Sequence, residues 1–291
     1  MTRDYVVMAS DRQVTWIWPD GTVGDMKDSD TCKLINFCNY TIIGYSGIAE
    51  IDNLKMYEWI LKQISDRNCT DTNQAGKILK EQASLVLRKY DSRRKHHEFL
   101  MAGWNYFKGL DGLRPFFSLI TNCRDDYGRK LVHAKDNFSI RLRALRDGEE
   151  FLWKVIGADI SKERQKRFYK DLKPMIMRRI GPKEILKYIV NEIIYTADNQ
   201  RENEKTVGKK ILAACIPKNS VVKQIETGHW FFLAKWPDND TATFSYFDNG
   251  YNELFQFGPA MVFGKKALTN ITTETDSKRD FQSSQATIFR L

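Results

Sequence analysis

At 291 residues the chain sits at the upper edge of what one hydrophobic core supports, and its 42% hydrophobic and 29% charged residues are ordinary for a globular protein. No apolar run approaches the length that spans a bilayer, which excludes a helical membrane protein. The net charge of +9 fits a nucleic-acid partner, an acidic protein partner or merely a basic surface, and alone separates none of them.

Five cysteines without a C-x-x-C pair argue against a disulfide framework or a zinc ribbon and fit a reducing compartment. The apolar stretch at residues 5–9 is too short for a signal-peptide core, so a cytoplasmic location is expected.

The chain opens with β-rich runs at residues 5–9 and 14–18, the second closed by the turn Pro19-Asp20-Gly21. Residues 33–37 and 40–45 form another pair around Cys38-Asn39, and together these runs predict an antiparallel opening sheet. The period then changes. Leu54, Tyr57, Leu61 and Ile64 recur at helical spacing behind Asn53 as N-cap, and a second helix is predicted from about Thr72 to Tyr90 with Leu79, Ala83 and Val86 on one face.

Strands resume at residues 98–106, 116–122, 138–145 and 151–156. Two further helices follow, over residues 161–180 with Pro174 as a kink and over residues 182–197 with Pro182 in the first turn. A strand at residues 210–216 ends at Pro217. Beyond it the chain is rich in aromatics such as Trp230, Trp236 and Phe247, read as a β-rich extension over residues 219–291 that follows a domain at 1–218. Segregated runs of strands and helices predict an α+β layered fold. Neither a dinucleotide fingerprint nor a P-loop is present, so no nucleotide cofactor is expected.

Three ordered motifs carry a family resemblance. Met8-Ala9-Ser10-Asp11-Arg12-Gln13-Val14-Thr15 resembles the second strand and following turn of proteasome β-type subunits. Lys33-Leu34-Ile35 is similar to the family strand that holds the active-site lysine, and Gly44-Tyr45-Ser46-Gly47-Ile48-Ala49-Glu50 to the entry into its first helix. Looser likenesses at residues 100–104, 155–158 and 207–216 extend the match over about residues 4–217. The resemblance implies an N-terminal-nucleophile (Ntn) hydrolase fold, an αββα four-layer sandwich, acting on a peptide or protein substrate and self-associating into a ring or other homo-oligomer.

In that family the hydroxyl of an N-terminal threonine attacks the amide with the threonine's own α-amine as base, directly or through water, because a hydroxyl is too weakly acidic to attack unaided. By the resemblance Asp11 takes the acidic role, Lys33 the lysine role, and backbone amides near Gly47 the oxyanion hole; Thr2 becomes the threonine-peptidase nucleophile if Met1 is removed. Most of the family's first strand is absent ahead of Asp11, and Ala158 and Asp159 stand where the family has Ser and Gly. Two readings therefore stay open: an amide hydrolase whose nucleophile strand is encoded upstream, or a catalytically silent proteasome-like scaffold.

His96-His97 reads as part of a solvated basic loop with Arg93-Arg94-Lys95, and no metal is expected there. The basic clusters at residues 162–170 and at Arg178-Arg179 read as ordinary helix surfaces rather than a nucleic-acid face, because Glu163, Asp171 and Glu184 interleave them.

Overall fold

The computed structural model describes residues 1–17, 23–28, 31–37, 40–67, 69, 71–91, 95–157, 161–200, 206–218, 230–236, 239–247, 260–263, 266–269 and 287–290. The expected turn at Pro19-Asp20-Gly21, the break at Cys38-Asn39, the arginines 93 and 94, the pair Ala158 and Asp159, and the packing of the aromatics in residues 230–247 lie outside the described residues.

The fold is α+β. The first strands are β1 (Tyr5–Asp11), β2 (Val14–Ile17), β3 (Val23–Asp28), β4 (Leu34–Phe37) and β5 (Thr41–Gly47). After them come β6 (Glu50–Ile51), β7 (Leu54–Lys55), α1 (Met56–Ser65), α2 (Thr72–Leu87), β8 (His97–Tyr106), β9 (Leu113–Thr121) and β10 (Ser139–Ala144). Then follow α3 (Lys162–Met177), α4 (Pro182–Asp198), β11 (Ile211–Pro217), β12 (Trp230–Trp236), β13 (Asn239–Phe247), β14 (Ala260–Phe263), β15 (Lys266–Thr269) and β16 (Thr287–Arg290).

The opening strands do not share one sheet. β1 pairs with β11 in a sheet ordered β1-β11-β12-β13, β4 and β5 belong to a sheet ordered β10-β9-β8-β5-β4-β14-β15-β16, and among the described residues β2 pairs with β3 alone. The segment after residue 218 thus adds strands to both large sheets, β12 antiparallel to β11 and β14 parallel to β4.

Alternation along β1 and β11 explains how their sheet is covered on both sides. Val6, Met8, Leu212, Ala214 and Ile216 enter the core shared with the second sheet, while Tyr5, Ile211, Ala213 and Cys215 enter the core shared with Leu172, Ile185, Leu186 and Val190 of α3 and α4. Successive strand side chains point to opposite faces, so one apolar strand serves two cores.

The second sheet is divided the same way. Phe99 stacks on Trp59 of α1 at 6.4 Å, and a Cβ on Gly76 of α2 would lie 3.6 Å from Met101 Sδ. From the alternate positions, Trp104 donates its indole N–H across to Ile216 O at 3.1 Å, and Gly44 leaves room for Met8 Sδ, which a Cβ would approach to 2.9 Å. Each fully buried large apolar side chain such as Phe99 or Phe116 contributes about 1.5–3 kcal/mol.

Local chemistry sets the helix ends. Asp52 and Asn53 both take positive φ, 50° and 64°, as the tight hairpin between β6 and β7 requires. Asn53 is therefore a turn residue, and α1 begins behind Lys55, whose N–H is accepted by Glu58 at 2.9 Å. Asp71 caps α2 by accepting from the N–H groups of Asn73 and Gln74, and Ser161 caps α3 by accepting from Arg164 N–H.

The strand expected at residues 151–156 does not form. Leu152 exchanges backbone bonds of 3.0 Å with Met1, while Phe151 and Trp153 lie against Tyr169 and Phe168 of α3.

Candidate functional site

Asp11 is the last residue of β1, and Lys33 immediately precedes β4, so the two arrive from different sheets. Backbone bonds bring the segments together: Thr31 N–H donates to Arg12 O at 3.2 Å, and Arg12 N–H donates to Lys210 O at 2.9 Å. Lys33 Nζ then lies 3.0 Å from Asp11 Oδ2, with 14% and 16% of the two side chains exposed. The same carboxylate oxygen accepts from Gln13 N–H at 2.9 Å and from Gly208 N–H at 3.4 Å. Three donors therefore fix the carboxylate, and it holds the ammonium at the junction of the sheets.

Gly47 ends β5, near this junction, because β5 runs antiparallel to β4 with Gly44 opposite Leu34. Its φ of 116° and the 2.2 Å that would separate a Cβ from His96 O leave room for glycine alone.

Ser46 is opposite Glu98 across the ladder, and Gly157 comes so close that a Cβ there would lie 2.6 Å from Ser46 Oγ. Glu98, almost fully buried, is bound bidentately by Arg124 at 2.5 and 3.1 Å and accepts from Gly157 N–H at 3.2 Å. Lys154 is held below the usual lysine range, mainly by burial and then by the charge of Arg124. One end of the two large sheets thus gathers Asp11, Lys33, Ser46, Gly47, Glu98, Arg124 and Gly157.

Thr2 is not among them. It sits in the turn ahead of Tyr5, where β1 begins, whereas Asp11 ends the strand, and a rise of about 3.3 Å per residue along β1 puts roughly 20 Å between them. Thr2 is buried, and its hydroxyl accepts from the N–H groups of Asp4 and Tyr5 at 3.2 Å each, which is turn-capping geometry. The Met1 amine ahead of it donates to Leu152 O, and burial pushes its pKa down from 8.0 to about 5.

His97 departs most from the sequence reading. Rather than lying in a solvated loop it is in β8, fully buried, with its ring 4.4 Å from Phe99 and stacked on Tyr45 at 6.2 Å. Neither ring nitrogen has a hydrogen-bond partner, and burial pushes the ring down to about 3, which keeps it neutral. Among the described residues no group of three His, Cys, Asp or Glu side chains is placed to hold a metal. Cys32, Cys69, Cys123 and Cys215 are buried, and none of the four is in a disulfide.

The pairing of Glu98 with Arg124 escaped sequence reasoning, although a lone carboxylate inside the apolar run of residues 97–104 was a signal that a buried partner exists. Compared with models of known protein families and with curated proteins, the chain matches none.

Proposed function

We propose that the chain is a proteasome-like domain of the Ntn-hydrolase class, an αββα four-layer sandwich in which Asp11 and Lys33 form the charged rim of an amide-hydrolysing site. The observation that carries this reading is the largely buried ion pair of 3.0 Å where β1 meets β4. An ammonium held by a carboxylate favours the deprotonated form of a neighbouring hydroxyl, and by the resemblance backbone amides near Gly47 form the oxyanion hole. The substrate is a peptide or protein, the chain self-associates, and its setting is the cytoplasm. Thr2 has no part in this reading, since its hydroxyl caps the turn at the far end of β1.

The test is hydrolysis of a fluorogenic peptide panel together with intact-mass detection of an adduct from a hydroxyl-directed β-lactone. Turnover and an adduct on a hydroxyl beside Lys33, located by peptide mapping, are expected, both lost in Lys33→Ala with the fold unchanged by circular dichroism. A second reading, a catalytically silent proteasome-like scaffold, is favoured by the position of Thr2. Absence of both turnover and adduct in the unaltered protein would replace the first reading with this one.

A further inference from the structure

Residues 162–187 carry ten lysines and arginines against three carboxylates, most of the excess charge of the chain. The interleaved carboxylates do not neutralise that excess evenly. Asp171 accepts from Tyr188 O–H at 3.1 Å, Glu184 pairs with Lys187 at 3.0 Å, and Glu192 of α4 is taken by Arg164 and Arg167. Glu163 remains in the first turn of α3, where a negative charge suits the helix dipole.

Lys166, Lys170, Lys173, Arg178 and Arg179 are all exposed and form no ion pair among the described residues. The three lysines recur at spacings of four and three, so they form one stripe along the outer face of α3, extended at its end by the two arginines.

The stripe is not purely ionic. Tyr169 lies within it, 42% exposed, and stacks on Phe151 at 5.3 Å. Beside it a groove of about 360 Å³ is lined by Phe151, Trp153, Tyr169 and Lys173. Glu149 on its wall is occupied by Arg143 at 2.7 Å and by Arg146 N–H at 2.9 Å, while Glu150 is exposed on the rim. A row of cations on a fixed helix attracts a polyanion, and aromatic faces within the row give flat rings a place to stack.

We propose that the α3 face binds single-stranded nucleic acid, with Lys166, Lys170, Lys173, Arg178 and Arg179 along the phosphates and a base stacked at Tyr169. An acidic protein would use the cations but has no need of the aromatic groove, and a duplex keeps its bases stacked inside and cannot place one there. The inference does not rest on the Asp11–Lys33 reading, and its test does not involve hydrolysis.

The experiment is fluorescence anisotropy with a labelled oligothymidylate, titrated from about 50 to 200 mM salt. Binding is expected with a log–log salt slope of up to about −3.5, five phosphate contacts at about −0.7 each. The triple variant Lys166→Glu, Lys170→Glu, Lys173→Glu should bind at least about tenfold more weakly with a slope shallower by about 2. Tyr169→Ala should lose about fivefold or more in affinity at an unchanged slope, and Lys108→Glu, on an exposed loop elsewhere, should change nothing. Because the altered lysines are exposed, a thermal melt by circular dichroism should be the same for the lysine variants and the unaltered protein, and Tyr169→Ala, which also gives up its stacking on Phe151, should remain folded at the assay temperature. No binding at the lowest salt, equal binding by the triple variant, tighter binding of the corresponding duplex, or equal competition by polyglutamate at matched charge would each overturn the proposal.

Discussion

Lys33 Nζ and Asp11 Oδ2, 3.0 Å apart, join two sheets that share no backbone ladder at that point. The pair is largely buried, so removing one partner leaves the other charge poorly solvated. Lys33→Met and Asp11→Ala should each cost about 2–3 kcal/mol by urea denaturation at neutral pH, less than a fully enclosed pair would. The double variant should cost clearly less than the sum, since neither charge is then stranded. Strict additivity would mean that the two groups do not act on each other.

Two glycines on β5 should respond differently to alanine. At Gly44 the new methyl would meet Met8 Sδ at 2.9 Å and Leu34 Cδ2 at 3.3 Å, the ends of flexible side chains. At Gly47 it would meet His96 backbone oxygen at 2.2 Å with φ at 116°. Gly44→Ala should cost about 1–3 kcal/mol and regain part of that when combined with Met8→Ala. Gly47→Ala should cost more, and no side-chain truncation should rescue it. Thermal melts of the four proteins decide the matter, and rescue of Gly47→Ala by Met8→Ala would contradict the geometry.

Much of the layered fold was legible because it rests on short-range rules. The alternation of residues 5–9 with two apolar faces marks a strand between two cores, and Pro182 announces the start of α4 to the residue. The misread elements depend on contacts distant in sequence. Phe151 to Ile156 has β-rich composition, but its partners are Met1 and the aromatic side chains of α3, which leave it no strand to pair with. Asn53 is a good N-cap by type, yet the φ of a two-residue hairpin claims it first.

The site was half legible for the same reason. Asp11 and Lys33 stand out through their motif, and the structure brings them together. Glu98 and Arg124 lie 26 positions apart, so the carboxylate in its apolar run signals a buried partner without saying which residue it is. Thr2 fails as their companion because a strand extends: a residue at its head and one at its tail cannot meet.

Acid stability should depend on His97. Its ring stays neutral down to about 3 in the folded protein, against an ordinary 6.5 in the unfolded chain. Between those values the unfolded chain binds the additional proton, so stability is complete above about 6.5 and falls as the pH drops towards 3. The span corresponds to at most about 4–5 kcal/mol. The Met1 amine, depressed from 8.0 to about 5, adds a slope of the same sign between those values. His97→Leu, which removes two unpartnered ring nitrogens from an apolar surrounding, should take away the His97 part of the slope below pH 6.5 and leave the Met1 part between about 5 and 8.0 intact. Parallel curves for the two proteins in urea titrations across this range would remove His97 from the account.

The Glu98–Arg124 pair should matter more for stability than any surface ion pair among the described residues. Glu98 has only 4% of its side chain exposed and Arg124 has 13%, and the carboxylate also holds Gly157 through its N–H. Glu98→Ala would take from the largely buried guanidinium its carboxylate, leaving it the bond to Gly128 O at 3.1 Å, and would release that N–H, at an expected cost of about 3–5 kcal/mol. The exposed pair Arg129–Asp125, with 75% and 21% of its side chains exposed, sets the contrast: Arg129→Ala should cost no more than about 1 kcal/mol. The loss in Glu98→Ala should persist at high salt, because a buried pair is screened far less than an exposed one. The measurement is chemical denaturation of both variants at low and high ionic strength. If added salt abolishes the difference between them, the pair is solvated and the burial argument fails.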